Sequence, residues 1–238
     1  MKTVKIDKYY KGMVAHRGLS GIETENTVFS FLAAANHSYQ GISADLYTSK
    51  DGYLILTSQT SLLKYGLLNL DIQSFDYEEL VKYTLVDRKT GNLNKFLYIP
   101  LLKDYLPICK SYEKKAMIRI HPSLKNYDLD RMLKEINEIG YLKECVFIIK
   151  EQKQINHLLE SVQSHQVYYD HVQSTPNYEY CNKLKINAFL NHDSLEKEYV
   201  KKFHLIGLKV MTGVVNDKEN AEKMIKLDID HILTEILE

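Results

Sequence analysis

A few residue types, at a few spacings, could do chemistry in this chain. His16-Arg17-Gly18 closes a short apolar run, and Glu25-Asn26-Thr27 follows it. Ser43 and Asp45 are two apart, as are Arg119 and His121, so each pair points to one face if its segment is extended. Ser58 follows the apolar Leu54-Ile55-Leu56. An imidazole moves protons near neutral pH. A guanidinium holds phosphate or carboxylate through a planar fork of donors. Each residue alone has a plainer reading: His16 as a packed or capping residue, Arg17 as a surface cation, Asp45 as a loop cap, Asp51-Gly52 as a turn. His16, Ser58 and Asp45 are also the residue types of a nucleophile system, but no G-x-S-x-G surrounds Ser58.

Their weight comes from the elements that must carry them. Gly12–Ala15 reads as a strand, followed by a loop and a helix capped by Asn26 or Thr27. Gly41–Leu46 is a second strand, Lys50-Asp51-Gly52 a turn, and Tyr53–Leu56 a return arm. About six residues are too few for a parallel crossover between them. Strands are then predicted at 116–120, 145–149, 166–169, 186–190, 208–214 and 230–233. Helices are predicted at 101–114, 124–139, 152–162, 177–184, 195–206 and 218–227. Eight strands alternating with helices predict one α/β domain over 1–238, a (β/α)₈ TIM barrel. A small insert, about 47–98, follows the second strand and is irregular over 58–98. A doubly wound open sheet is the alternative. In such barrels chemistry gathers at the C-terminal strand ends. Those ends deliver His16-Arg17, Ser43 and Asp45, Thr57-Ser58-Gln59, Arg119 and His121, then Lys150, Tyr169-Asp170, Asn191-His192, Thr212 and Thr234-Glu235.

Composition removes other classes. Lys plus Arg and Asp plus Glu are both 31 in 238 residues, so no chain-wide basic field for nucleic acid exists. No apolar run is long enough to span a membrane, and the N-terminus lacks the apolar core of a secretory signal. Cys109, Cys145 and Cys181 show no zinc-ligand spacing, and a sparse, odd count fits reduced thiols in a cytoplasm.

His16-Arg17-Gly18, Glu25-Asn26-Thr27, Phe31 and Ala34 resemble the opening motif of the glycerophosphodiester phosphodiesterase family. Asp45, Thr48, Asp51-Gly52, Ile55, Leu62, Leu80 and Ile99-Pro100-Leu101-Leu102 continue the match. Residues 207–212 and 230–234 resemble the closing segments. The resemblance implies a TIM barrel with an insert after its second strand. It implies hydrolysis of glycerophosphodiesters to an alcohol and glycerol 3-phosphate. The family's site uses one Mg²⁺ or Ca²⁺ held by three carboxylates, two histidines as general acid and base, and an Arg and a Lys on the phosphate. His16 falls on the first histidine, Arg17 on the phosphate arginine, Glu25 on the Glu of the ENT motif and Asp45 on one metal carboxylate.

Four positions depart from that pattern. Ser43 and Arg119 stand where the other metal carboxylates belong, Ser58 at the second histidine and His121 at the phosphate lysine. A guanidinium about 4 Å from a cation repels each unit of its charge by roughly 4 kcal/mol at an effective dielectric of ~20. The expectation is therefore a degenerate site with no metal and no cofactor. Arg119 would pair with Asp45, in a net-positive mouth whose Arg17, Arg119 and His121 bind an anion. The partner implied is a small phosphate-containing ligand, with neither nucleic acid nor a membrane, and no protein partner is indicated. An active phosphodiesterase with a rebuilt site and a non-catalytic scaffold barrel are the two alternatives.

Overall fold

The structure, a computed structural model, describes residues 2–6, 9–58, 71–172 and 176–238. In chain order the first half contains β1 (Met13–Ala15), α1 (Val28–Ala35), β2 (Gly41–Thr48), β3 (Leu54–Leu56), α2 (Tyr77–Leu80), β4 (Leu85–Val86) and β5 (Leu93–Asn94). Next come α3 (Leu102–Ser111), β6 (Lys115–Ile120), α4 (Asn126–Ile139), β7 (Cys145–Ile149), α5 (Gln152–Leu158) and β8 (Val167–Asp170). The chain ends with α6 (Tyr178–Leu184), β9 (Asn187–Leu190), α7 (Lys197–His204), β10 (Val210–Thr212), α8 (Lys218–Lys226) and β11 (His231–Thr234).

Eight of these strands form one parallel sheet in the order β1-β11-β10-β9-β8-β7-β6-β2, and pairing of β1 with β2 closes it. Closure excludes the open-sheet alternative. The alternation along each strand explains why the barrel holds. One set of side chains, including Val14, Met117, Val146, Ile148, Phe189, Met211 and Leu233, fills the interior. The residues between them, such as Ala15, Ile118, Phe147, Ala188 and Ile232, pack outward on the helices. Phe31 of α1 and Tyr105 of α3 are fully buried in that outer layer, their rings 4.8 Å apart.

The return arm is as expected: β3 runs antiparallel to the far end of β2, with Leu46 opposite Leu56 and Thr48 opposite Leu54. The insert corrects the expectation of an irregular segment. Its described part, 71–98, carries a 3₁₀ turn, α2 and the β4–β5 hairpin. Ile72, Leu80, Leu85, Leu97 and Ile99 give it a small core with Tyr47 and Ile55. These apolar residues are too widely spaced for any one periodicity to reveal, which is why the stretch reads as a loop. The insert is fastened to the β1–α1 loop, where Thr24 Oγ1 donates to Val86 O and accepts from Arg88 N.

Among the described residues no helix is long and apolar enough to cross a membrane. Cys109, Cys145 and Cys181 are buried thiols, not disulfides.

Candidate active site at the barrel mouth

The C-terminal strand ends surround a cavity of about 200 Å³ lined by Arg17, Asp45, Tyr47, Thr57, Ser58, Arg119, His121, Lys150 and Asp170, among others. Its two arginines are held differently.

Arg17 sits in the left-handed region at φ 57°, where a non-glycine residue costs of order 1–3 kcal/mol and persists only if its surroundings over-determine it. They do. Its N–H donates to Ser43 Oγ (3.0 Å), and its carbonyl accepts from Asn26 N and Ser30 Oγ, both at 3.0 Å. The following Gly18, at φ 75°, lies so close to Ser30 that a Cβ would collide with it. Thr27 then caps α1, accepting from Ser30 N. This turn presents the Arg17 side chain to two carboxylates: Nε lies 2.6 Å from Asp45 Oδ2, and Nη1 lies 3.1 Å from Glu25 Oε2. Burial opposes the charge on Arg17, but Asp45 and Glu25 outweigh it and raise its pKa. Asn26, also left-handed at φ 51°, clamps Asp45 twice, accepting from its backbone N (3.1 Å) and donating to Oδ2 (3.2 Å). Ser58 Oγ donates to Glu25 Oε1.

Arg119 corrects the expected pair with Asp45. The two are register partners on β6 and β2, yet Arg119 Nη2 donates to Asp170 Oδ2 at 2.6 Å, on β8. The guanidinium passes 5.9 Å from the Phe189 ring centroid on its way across the mouth. The reason is competition. Arg17 enters from a loop fixed over β2 and occupies Asp45, and a side chain as long as arginine reaches the next carboxylate. The expected net-positive mouth is corrected with it. Arg17, Arg119 and Lys150 in the lining face Asp45 and Asp170, and Glu25 behind Arg17 completes the balance.

His121 lines the cavity. Burial, its largest cause, lowers its pKa, with Asp45 acting the other way and Arg119 adding to the fall. Its Nδ1 accepts from Ser123 N (3.2 Å), so the neutral ring carries its proton on Nε2, 2.5 Å from Tyr47 Oη. That arrangement leaves the Tyr47 O–H to donate elsewhere. Burial pushes the Tyr47 pKa up to about 12, so it remains a phenol.

His16 is 6% exposed and lies outside the cavity lining, with Nδ1 3.9 Å from Glu235 Oε1, an ion-pair distance rather than a hydrogen bond. His16 lowers the Glu235 pKa. The structure thus brings Arg17, Glu25, Asn26, Ser43, Asp45 and Ser58 into one network and places Arg119 and His121 on the opposite wall. Gln59 and Leu62 lie outside the described residues. Asp170, Lys150, Tyr47 and Glu235 were not singled out as site residues. Three of them were legible as strand ends, but Tyr47 had no signal beyond its place on β2.

A hard divalent cation wants several oxygen ligands. Asp45 and Glu25 are engaged by Arg17, and Ser43 Oγ accepts a backbone N–H. Among the described residues no group of three or more His, Cys, Asp or Glu side chains is arranged to hold a metal ion.

Comparison with known proteins agrees with the architecture. The model of the glycerophosphoryl diester phosphodiesterase family matches residues 16–237. A glycerophosphodiester phosphodiesterase of Caldanaerobacter subterraneus is 26% identical over 242 residues, covering 94% of this chain and 93% of that protein. An uncharacterized protein of Mycoplasma genitalium is 28% identical over 137 residues, 56% of this chain and 54% of that protein. The solved structure of an Oleispira antarctica phosphodiesterase, in complex with the product sn-glycerol-3-phosphate, superposes with a TM-score of 0.85 at 17% identity, over 98% of this chain and 96% of that one. A family match across nearly the whole chain, on a closed barrel with its insert at the mouth, means that this chain belongs to the glycerophosphoryl diester phosphodiesterase family.

Proposed function

We propose that the mouth binds the phosphate group of a glycerophosphodiester or of glycerol phosphate, and does not carry out metal-dependent hydrolysis. The observation that carries this reading is the closure of Asp45 and Glu25 on Arg17, with Arg119 on Asp170 across the mouth. The donor set does not fit a divalent cation, so no step runs through one. Three groups serve a phosphate. Asp170 takes Arg119 through Nη2, and a guanidinium carries five N–H donors. Tyr47 supplies a neutral O–H, and Lys150 adds charge at the rim. The similar Oleispira antarctica phosphodiesterase, in complex with sn-glycerol-3-phosphate, supports glycerol phosphate as the ligand class.

A second reading, an active phosphodiesterase with a rebuilt site, is favoured by the pairs His16–Glu235 and Tyr47–His121, which are groups able to move protons. The likeness to the glycerophosphodiester phosphodiesterase of Caldanaerobacter subterraneus supports it too. One experiment separates the readings. sn-Glycerol 3-phosphate should raise the melting temperature, unaffected by EDTA and diminished by salt. Glycerophosphocholine turnover should stay at background with Mg²⁺, Ca²⁺ or Mn²⁺. Turnover abolished by His16→Ala establishes the enzyme instead. Neither shift nor turnover leaves the scaffold barrel.

A further inference from the structure

We propose that the opposite end of the barrel, its base, holds a separate site for a phosphate-sized inorganic oxyanion, formed by Lys115, Lys209 and His231. The alternation of the strands puts these three side chains together. Met117, Met211 and Leu233 fill the barrel interior. Lys115, Lys209 and His231 each precede one of them by two residues, so they point to the same side at the entry of β6, β10 and β11. The lowest layer of a barrel interior is ordinarily packed with branched apolar side chains. Here that layer is a cavity of about 110 Å³ lined by all three, with Tyr168 and Asn187 beside them.

His231 points to a ligand. It is 6% exposed, its ring sits edge-on to Tyr168 with centroids 5.9 Å apart, and its Nδ1 has no hydrogen-bond partner among the described residues. A buried ring nitrogen without a partner is costly and asks for an explanation. Lys209 and Lys115 both act on His231 against its protonation, after burial itself, which places their charge at this cavity. Two carboxylates stand nearby, and Asp230 acts on His231 in the opposite sense, ahead of either lysine. Glu144 stands 3.9 Å from Lys115, and Asp230 is engaged by His204 Nε2 (2.9 Å) and Val210 N (2.8 Å). Two ammonium groups and one imidazole N–H around a polar cavity make a receptor for a compact anion. Its volume, about 110 Å³, has room for a tetrahedral oxyanion.

The test is a titration with inorganic phosphate at pH 7 and constant ionic strength, following histidine ring resonances, with His231 assigned through His231→Gln. A saturable shift of the His231 ring is expected. Lys115→Met with Lys209→Met should weaken it at least tenfold, while Arg119→Ala, at the mouth, leaves it unchanged. Should the double variant not fold, Lys209→Gln at an exposed position serves alone, with at least threefold weakening expected. The proposal is overturned by a His231 shift that never saturates, by the same curve in the lysine variants, or by loss of the shift in Arg119→Ala. The His121 ring reports the mouth separately, so failure of one site is not failure of the other.

Discussion

The two halves of the mouth hold their arginines for different ends. On the β1–β2 side, Arg17 is 18% exposed and meets two carboxylates that are each 14% exposed. Its backbone is tied by Ser43, Asn26 and Ser30. On the β6–β8 side, Arg119 is 36% exposed, pairs with the Asp170 carboxylate and rests over an aromatic ring. A guanidinium enclosed by its counter-charges builds a turn. A guanidinium that faces a cavity with one partner can exchange that partner for a ligand. The residue most recognisable in the sequence, Arg17, is thus the more structural of the two.

The largest expected effect tests the closed half. Asp45→Ala leaves Arg17 with Glu25 alone and removes the contact of Asn26 Nδ2 with the carboxylate, and breaking a pair this buried costs about 3–5 kcal/mol. Urea unfolding measures it, and a loss under 1 kcal/mol would mean that the two halves are alike.

Acid should act next, and on the open half. Burial lowers the pKa of His171, which adjoins Asp170, to about 4, and that of His231 at the base also to about 4. The folded state then binds fewer protons than the unfolded chain between pH ~6.5 and about 4. Stability therefore falls as pH drops through that window, by roughly 3 kcal/mol at most for each histidine. The slope of unfolding free energy against pH should shrink in His171→Gln, and an unchanged slope refutes the assignment.

Asp170→Asn sharpens the comparison in the other direction. It releases Arg119 toward the cavity, so sn-glycerol 3-phosphate should bind about threefold to tenfold tighter by calorimetry, at a stability cost of about 1 kcal/mol. Weaker binding would remove Arg119 from the ligand site. The smallest effect returns to the closed half: Thr27→Ala removes the cap of α1 and should cost ~1 kcal/mol in thermal unfolding, with ligand affinity unchanged.

Much of this is legible in the sequence alone. The barrel followed from alternating strand and helix patterns, and the mouth from the strand ends, because both depend on local periodicity and a general rule of parallel barrels. The residues of the β1–α1 turn were legible because they are close in sequence. The pairings of Tyr47, Asp170 and Glu235 were not, because their partners lie on other strands: His121, Arg119 and His16.

The sequence by itself determined the inventory. Asp45 is a carboxylate, Ser43 and Ser58 are hydroxyls, Arg119 is a fixed cation and His121 an imidazole. It also determined which side chains face inward, since the strand period is two. Only the tertiary structure decided the pairing. Asp45 had two arginines within reach, and its partner was set by the left-handed Arg17 turn and by the distance from β6 to β8. Those are properties of a closed barrel, in which neighbours across the mouth are remote along the chain.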